Sequence, residues 1–368
     1  MGSMSSNEVV KIAVIGAGNV GKAMAAHLTL MGYKVNLFNR TEKNIVALQK
    51  DNEITISGVI EGRTKINIIT SDIRKAIDSV DLIMVTTPAS GHTYIANILG
   101  PHLTKDQLIV LNPGRTLGSL VFSNILRKYK KENYVSETQT ILYTTRYCDL
   151  NSEVFAIKRK VPLATFPACK TEEVLEVLRP IYTEYTKAQD ILETGFANVG
   201  AILHPTPTLL NIGWIENRCT PFKYYYEGIT PSIAHLLEKI DHERIEIAEG
   251  YGYHIPTVKE WLYEAYGSSG RDLYEALQNT DAYKTIDSPD KIRHRYIFED
   301  IPTGLVPFSS LGEKIQVKTP YMNTIIELAS KITENNFWQC GRTLDNCGVS
   351  HMTIDELKDY IHHGIEVH

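Results

Sequence analysis

The feature that most constrains this chain is a glycine turn between two apolar strands near its beginning. Residues 12–15 are Ile-Ala-Val-Ile, and the turn follows as Gly-Ala-Gly-Asn-Val-Gly over 16–21. A helical stretch through 23–30 then leads to a second apolar strand at 35–38. This order of strand, turn, helix and strand predicts a Rossmann-type dinucleotide-binding domain. The alternative is a glycine turn that only connects two core elements.

Each glycine of the turn stands where the geometry of such a site requires it. Gly16 allows the tight turn, Gly18 lets the backbone approach a pyrophosphate, and Gly21 permits close packing of the helix on the strand. Asn19 and Val20 open the helix, where unpaired N–H groups and the helix dipole favour an anion. We expect these five residues to bind the cofactor through its phosphates.

The end of the second strand indicates which dinucleotide is bound. An acidic residue there accepts a hydrogen bond from the ribose of NAD, but this chain has Asn39, Arg40 and Thr41. Arg40 offers a guanidinium to a 2′-phosphate and Thr41 a hydroxyl, which favours NADP(H) and leaves NAD(H) open. In the alternative interpretation Arg40 is a solvated charge, and the nearby Glu42 weakens the case for a phosphate.

Length and charge limit the remaining architecture and the partners. A chain of 368 residues exceeds one ordinary core, so we expect two domains, 1–190 and 191–368. A net charge of -5 gives no reason to expect nucleic acid as a partner. No apolar run is long enough for a membrane span and no signal peptide is recognisable, so we expect a cytoplasmic protein without a membrane partner. The five cysteines and twelve histidines lack metal-ligand spacing, and no metal is expected.

The α/β pattern continues after the second strand. Helices are predicted at 72–79 and 91–99, and buried strands at 81–87 and 107–111. Ligands of an open parallel sheet bind outside the carboxyl ends of the strands, so residues at these strand ends are expected to face the cofactor or the substrate. They are Thr87, Pro88, Asn112, Pro113 and Gly114. Turn formation alone is the alternative role, because Pro and Gly are ordinary strand terminators.

The second half of the chain has a different pattern. Residues 134–166 are rich in β-forming side chains, with strands predicted at 138–145 and 161–166. Beyond about residue 190 the periodicity is helical, which predicts that an all-α helical domain follows the α/β domain. The predicted helices cover 198–216, 232–251, 257–266, 321–334 and 354–362.

The first of these helices contains an unusual segment. His204 precedes two prolines, which each remove a backbone donor, and such a local cost is more often tolerated near a functional site than in a plain core. Asn198, one and a half turns earlier, is expected to reach the same cleft. Far along the chain stand Glu299 and Asp300, and a carboxylate of this pair would orient a histidine as an acid–base dyad does. Spacing alone does not pair His204 with either carboxylate.

Four segments carry a resemblance to a known family. They are the glycine turn at 16–21, the His-Pro segment at 198–211, the tyrosine-rich segment at 224–231 and the Glu-Asp segment at 298–312. The chain resembles the opine dehydrogenase family in these segments, from the first strand to about residue 344.

The resemblance implies an NAD(P)H-dependent reductive condensation. A 2-oxo acid such as pyruvate and the amino group of an amino acid form an imine, which is reduced to a secondary amine dicarboxylate. The catalytic histidine of the family falls on His204 and its partner aspartate on Asp300. In that reading His204 supplies or takes the proton at the reacting centre, while Asp300 sets the tautomer and stabilises the imidazolium. A homodimer fits the large helical half.

Substrate contacts are less well defined by the sequence. Arg146 and Arg295 are candidates to bind substrate carboxylates through two parallel hydrogen bonds, and Asn198 and Tyr224 are candidates to line the cleft. Each has an ordinary alternative. The arginines equally suit surface ion pairs, and a tyrosine triplet equally suits a core or an interface.

Two other functions compete with this one. A 2-oxo acid reductase of the ketopantoate type shares the two-domain frame, but it usually places a lysine as the acid at the start of the helical domain, where this chain offers Asn198 and His204. A non-catalytic NADP-sensing module is the second alternative. It would need the glycine turn but not the segments around His204 and Asp300.

Overall fold

Two compact units make up the part of the chain that the computed structural model describes, which comprises residues 11–148, 151–217 and 221–364. The first unit contains the residues up to Thr194 and the segment from Lys358, and the second runs from Gly195 to Leu357. The division lies near the predicted boundary at residue 190.

The C-terminal segment differs from the sequence-based assignment, which placed it in the helical domain. The ring of Tyr360 packs edge-on against Phe166 with centroids 5.3 Å apart. Nη2 of Arg127 donates to the carbonyl of Gly364 over 2.8 Å, and Nη1 of Arg127 donates to the Tyr360 hydroxyl. Because these contacts are with the strand and helix of the α/β unit, the segment belongs to that unit.

The strands lie in the first unit. In chain order they are β1 (Lys11–Ile15), β2 (Lys34–Phe38), β3 (Glu53–Gly58), β4 (Gly62–Lys65), β5 (Ile68–Thr70), β6 (Leu82–Val85), β7 (Leu108–Leu111), β8 (Val135–Thr138), β9 (Tyr143–Cys148), β10 (Asn151–Ile157), β11 (Val161–Phe166) and β12 (Tyr185–Lys187).

The main sheet has the strand order β12-β11-β8-β7-β6-β1-β2-β5. Its pairs are parallel apart from β11, which runs antiparallel to β8. The order reverses beside β1, because β2 lies on one side of it and β6 on the other. Ligands bind at such a switch point, outside the carboxyl ends of the strands. The predicted Rossmann-type domain is confirmed.

Alternate residues of β1 enter different cores. Ile12 and Val14 belong to one apolar cluster, whereas Ala13 and Ile15 belong to another. Successive side chains of a strand point to opposite faces, so both faces of the sheet are covered. The helices up to the unit division are α1 (Asn19–Leu30), α2 (Val46–Gln49), α3 (Ile73–Ile77), α4 (His92–Leu99), α5 (Gly118–Lys128), α6 (Thr171–Leu178) and α7 (Ile191–Phe196).

A smaller sheet, with the order β4-β3-β10-β9, was not predicted from the sequence. The expectation of one strand over 138–145 is wrong, because β8 ends at Thr138 in the main sheet and β9 begins at Tyr143 in the smaller one. A run of β-forming residues does not reveal this change of sheet, since β9 joins the smaller sheet through its neighbour β10, and β10 pairs with β3 from a distant part of the chain.

The second unit is helical, as predicted. Its helices, and the helix that leads out of it, are α8 (Gly200–Leu203), α9 (Pro205–Leu210), α10 (Ile212–Glu216), α11 (Pro231–Gly250), α12 (Val258–Tyr266), α13 (Leu273–Gln278), α14 (Arg295–Phe298), α15 (Val306–Lys314), α16 (Pro320–Thr333), α17 (Phe337–Cys340) and α18 (Ile354–His363). A π-helical turn, Ile301–Leu305, precedes α15.

A buried ion pair anchors α11 in the second unit. Arg244 and Asp241 are both buried, and Nε of Arg244 donates to Oδ1 of Asp241 over 2.8 Å. The guanidinium also donates to the carbonyls of Phe196 and Pro256, over 2.7 and 2.8 Å. A buried charge must have its donors satisfied, and here the bonds that do so tie α11 to the segment that leads to His204.

Among the described residues, no helix is long and apolar enough to cross a membrane.

Candidate active site

The glycine turn of the first unit has the shape of a phosphate cradle. Gly16 has a φ of +117° and donates its N–H to the carbonyl of Phe38 over 2.9 Å. A Cβ on Gly21 would lie 1.7 Å from the carbonyl oxygen of Gly16, so only glycine lets α1 pack this close. A Cβ on Gly18 would meet nothing within 4 Å, and no side chain caps the N-terminus of α1. The open turn and uncapped helix fit a dinucleotide pyrophosphate.

The residues after β2 support the turn and extend it. Oδ1 of Asn39 accepts the N–H of Ala17 over 3.3 Å, and Nδ2 of Asn39 donates to the carbonyl of Thr41 over 2.8 Å. Asn39 therefore connects the turn to the segment that follows β2. Arg40 is exposed, and within the described residues its guanidinium makes no hydrogen bond or ion pair.

The strand-end residues of β6 and β7 differ in their environment. A Cβ on Gly16 would lie 3.0 Å from Cγ2 of Thr87, so Thr87 lies against the glycine turn, and the next residue, Pro88, is exposed. Asn112 is buried, and its amide group bonds to the carbonyl of Val110 and to the hydroxyl of Tyr185. Its side chain is therefore engaged inside the protein, although we had expected it to face the cofactor.

Pro113 and Gly114 continue the loop after β7. Both residues are buried, and the N–H of Gly114 donates to the carbonyl of Thr138 over 3.2 Å. A Cβ on Gly114 would lie 2.4 Å from Cβ of Glu137, so the close approach of this loop to β8 requires glycine.

In the second unit, the single helix predicted over 198–216 is instead three short helices, and one of the divisions falls at His204, where the two prolines predicted a distortion. His204 separates α8 from α9, with φ −104° and ψ −53°, and Pro205 opens α9. The carbonyl of His204 accepts the Thr208 hydroxyl over 2.8 Å and the Tyr224 hydroxyl over 2.6 Å. The N–H of Thr208 also donates to this carbonyl, over 3.3 Å, and the three bonds together fix the backbone that carries the imidazole.

Both ring nitrogens of His204 are hydrogen-bonded. Nδ1 lies 2.7 Å from Oδ2 of Asp300, and Nε2 lies 3.1 Å from the hydroxyl of Tyr225. The side chain of Asp300 is 0% exposed and that of His204 is 14% exposed. Burial raises the pKa of Tyr225 well above its ordinary value of 10, so the phenol keeps its proton. The network therefore places the ring proton on Nδ1, which donates it in a hydrogen bond to the carboxylate, while Nε2 accepts a hydrogen bond from the Tyr225 hydroxyl.

The turn after α14 brings Asp300 to the histidine. Asp300 precedes the π-helical turn, and the N–H of Leu305 donates to its carbonyl over 3.2 Å. A Cβ on Gly304 would lie 2.4 Å from Cβ of Ala201, so glycine allows this turn to pack against α8. π-Helical turns are frequent at functional sites because they re-aim the side chains around them.

Aromatic rings enclose the imidazole. Tyr296 stacks on His204 with centroids 4.1 Å apart and an interplanar angle of 15°. Tyr283 stacks on Tyr225 in the same way, at 4.1 Å and 16°. His294 meets Tyr296 edge-on at 4.5 Å. Burial, assisted by the charge of Arg295, lowers the pKa of His294 to about 4, so at neutral pH this second histidine is uncharged.

The second unit contains a dyad of histidine and carboxylate, and the first unit, described by itself, contains a dinucleotide cradle. Comparisons with known proteins identify a family that has both features. Residues 187–333 match the family model of the alpha-helical domain of NAD/NADP octopine/nopaline dehydrogenases, and residues 11–134 match that of the NAD-dependent glycerol-3-phosphate dehydrogenase N-terminus. An opine dehydrogenase of Arthrobacter sp. (strain 1C) is 40% identical over 357 residues, which cover 95% of this chain and 98% of that protein. The chain belongs to the opine dehydrogenase family. It is accordingly an NAD(P)-dependent oxidoreductase that acts on CH–NH donors.

Solved structures show the same fold. A structure of octopine dehydrogenase with NADH and L-arginine has a TM-score of 0.77 at 20% identity and covers 98% of this chain and 99% of its own. A PanE/ApbA family ketopantoate reductase from Ralstonia eutropha JMP134 has a TM-score of 0.62 at 13% identity, covering 88% of this chain and 99% of its own. The reductase shares the frame, whereas the identity to the Arthrobacter enzyme confirms the resemblance to opine dehydrogenases and favours it over the reductase.

The remaining predicted residues of this opine dehydrogenase lie in different places. Arg295 begins α14, one turn before Asp300, and its guanidinium carbon is 5.7 Å from the centroid of the Tyr296 ring. Asn198 is buried, and its amide lies beside the π-helical turn, 3.3 Å from where a Cβ on Gly304 would be. Both residues therefore belong to the surroundings of the dyad.

Arg146 and Tyr224 have other environments. Arg146 is exposed on β9 in the smaller sheet of the first unit, opposite Glu153. Tyr224 is 0% exposed, and its hydroxyl contacts Thr208 and the carbonyl of His204. It thus supports the backbone of the histidine instead of facing a ligand. The tyrosine that reaches the imidazole is the next one, Tyr225, which the sequence analysis did not single out; its place in the triplet gave no signal of which ring faces Nε2.

Proposed function

We propose that this opine dehydrogenase condenses a 2-oxo acid of the pyruvate type with the amino group of an amino acid and reduces the imine to a secondary amine dicarboxylate. The observation that carries the proposal is the 2.7 Å hydrogen bond between Nδ1 of His204 and the buried carboxylate of Asp300, in a chain of this family. The related octopine dehydrogenase structure, whose ligands are NADH and L-arginine, supports an amino acid as one substrate class.

His204 handles the protons of the condensation in this proposal. The incoming amine is an ammonium at neutral pH and must lose a proton before its lone pair attacks the oxo carbon, and Nε2 is the base that accepts it. The proton moves from nitrogen to oxygen as the carbinolamine forms. The imidazolium then protonates the leaving hydroxyl, so that water departs and an iminium remains. When bound, the reduced nicotinamide supplies the hydride that converts this iminium to the secondary amine.

Asp300 and Tyr225 prepare the imidazole for that cycle. The Asp300 carboxylate accepts Nδ1–H, which leaves Nε2 as the unprotonated ring nitrogen and stabilises the positive charge once Nε2 is protonated. The Tyr225 hydroxyl contacts Nε2 itself and can donate to the neutral ring or accept from the charged one. Tyr225 thereby holds the ring in both protonation states.

Substrate carboxylates need cationic partners, and Arg295 is the candidate that lies beside the dyad. Its guanidinium is exposed next to the ring that stacks on His204. A planar fork of donors suits a carboxylate bound through two hydrogen bonds. We keep Asn198 as a contact in the same neighbourhood, and Arg146 as a candidate that needs its own test.

NADP(H) is the cofactor that the residues after β2 favour. No carboxylate stands where NAD-binding proteins bind the ribose hydroxyl, and Arg40 offers free donors. Replacement of Arg40 by Ala should weaken NADPH far more than NADH in a fluorescence titration. Equal losses for the two nucleotides would show that Arg40 does not bind the 2′-phosphate.

The test of the proposed reaction is NADPH oxidation with pyruvate, measured across a panel of amino acids and simple amines with an amine-free control for each. Oxidation that requires both the oxo acid and an amine supports the opine reaction and identifies the donor. Oxidation with the oxo acid alone would support a 2-oxo acid reductase. Tight NADPH binding without turnover on any pair would support a sensing module.

The cytoplasmic location and the homodimer, both expected from the sequence, stay predictions. Size-exclusion chromatography with light scattering at several protein concentrations tests the dimer directly.

A further inference from the structure

An arginine and a tyrosine meet at the edge of the nucleotide cradle. The guanidinium carbon of Arg40 lies 5.1 Å from the centroid of the Tyr94 ring. Arg40 follows β2, whereas Tyr94 is on α4, which follows β6. Because β2 and β6 flank β1 in the parallel sheet, the two side chains come from opposite sides of the glycine turn. They meet at the edge of the sheet where the strands have their carboxyl ends.

The contact is not explained by core packing. Tyr94 is 41% exposed and Arg40 is exposed, so neither fills the interior. Glu42 stands two residues after Arg40, yet among the residues that the structure describes these two side chains form no ion pair. The aromatic ring is thus the partner that the structure gives to the guanidinium, and the ring leaves the N–H donors of the guanidinium available.

A restrained guanidinium binds a phosphate better than a freely rotating one. An arginine side chain loses rotamer freedom when it holds an anion, and a guanidinium that already stacks on a ring has lost part of that freedom beforehand. NADH has a 2′-hydroxyl in place of the 2′-phosphate, so it gains much less from a placed guanidinium. The ring therefore acts on the selectivity between the two nucleotides.

We propose that Tyr94 is a positioning residue for cofactor selectivity, which holds the Arg40 guanidinium at the edge of the cradle for the 2′-phosphate of NADP(H). The proposal rests on the preference for NADP(H) given under the proposed function. Tyr94 contributes through Arg40 and not through contact with the adenine that both nucleotides share.

The test measures dissociation constants of NADPH and NADH by fluorescence titration, without substrates, for the wild-type protein and a set of variants. Tyr94→Leu removes the ring, and we expect NADPH to weaken roughly two- to fivefold, the range of an exposed cation–π contact, while NADH is unchanged. Tyr94→Phe keeps the ring and should retain the wild-type selectivity. Tyr263→Leu, at an exposed tyrosine of the second unit, controls for the loss of a surface tyrosine.

A double variant separates positioning from other effects. In an Arg40→Ala background, Tyr94→Leu should cause no further loss of NADPH affinity, because there is no guanidinium left to hold. Additive losses would overturn the proposal, as would equal weakening of NADPH and NADH by Tyr94→Leu, which would assign the ring to adenine. A wild-type protein that binds both nucleotides equally would overturn the NADP(H) preference itself, and Tyr94→Leu without effect in a selective protein would overturn only the role of Tyr94.

Discussion

Replacement of Asp300 by Asn tests the dyad most directly. The change removes one negative charge and keeps the volume of the side chain, in a position that is 0% exposed. The asparagine amide can donate to Nδ1 of His204, which moves the ring proton to Nε2 and takes away the lone pair that accepts the substrate proton. A hydrogen bond to a charged group contributes about 1.5–3 kcal/mol, so the loss corresponds to roughly a ten- to hundredfold fall in kcat.

The same substitution should leave the fold intact. The asparagine amide is neutral and still bonds to the ring, so no unpaired charge stays buried, and the free energy of unfolding should change by less than about 1.5 kcal/mol. The measurements are kcat with a saturating oxo acid and amine, the Kd of NADPH, and urea denaturation. Glu299→Gln is the matched control at the neighbouring buried carboxylate, and it should retain most of the wild-type turnover. Wild-type kcat in Asp300→Asn, or a larger loss in Glu299→Gln, would refute the pairing of Asp300 with His204.

Five further substitutions test other parts of the reasoning. His204→Ala should lower turnover by roughly a hundredfold or more with little effect on the Kd of NADPH, and normal rates would remove this residue from the mechanism. Tyr225→Phe keeps the ring but loses the bond to Nε2, so kcat/KM should fall roughly three- to tenfold with an unchanged melting temperature; an unaltered kcat/KM would show that the hydroxyl is dispensable. Gly21→Ala places a Cβ 1.7 Å from a backbone oxygen and should destabilise the protein by about 1–3 kcal/mol, whereas the new Cβ of Gly18→Ala has no neighbour within 4 Å, so this variant should bind NADPH more weakly at normal stability. Calorimetry measures the stabilities and nucleotide titration the affinities. Equal stabilities of the two variants would contradict the packing argument. Burial lowers the pKa of His294 from 6.5 to about 4, so between these pH values the unfolded chain binds a proton that the folded chain does not, and acid favours unfolding. The full pKa shift would correspond to about 3 kcal/mol of stability, and for a partly exposed ring we expect about 1–2 kcal/mol. Between about pH 7.5 and pH 4.5 the free energy of unfolding of His294→Asn, measured by chemical denaturation, should therefore fall by about 1–2 kcal/mol less than that of the wild type. An identical pH dependence of the two proteins would show that the ring is not desolvated.

Local patterns in the sequence predicted the parts of the fold that depend on local geometry. The glycine spacing at Gly16, Gly18 and Gly21 reflects steric needs within one turn, and the structure has the expected strand, turn and helix there. The two prolines after His204 likewise predicted a distortion of the helix there, because proline acts on the adjacent turn of its own helix, although the full division into separate helices was not predicted.

Features that depend on distant partners could not be predicted in the same way. Asp300 is 96 residues from His204, and spacing does not report which of two adjacent carboxylates turns towards the ring. The tyrosine triplet gave no indication that Tyr225 meets Nε2 while Tyr224 lies beneath the histidine backbone, since the register of a turn decides this. The smaller sheet was missed for the same reason, because its parallel pair joins strands from distant segments.

The carbonyl of His204 bears on how such a site can change over time. The carbonyl accepts hydrogen bonds from the hydroxyls of Thr208 and Tyr224, whereas the imidazole nitrogens bond to Asp300 and Tyr225. The position of the histidine is therefore set by groups that need not touch a substrate. Mutations elsewhere that change which amino acid is accepted need not alter these contacts. The acid–base residues can therefore stay constant among related enzymes that use different amino acids.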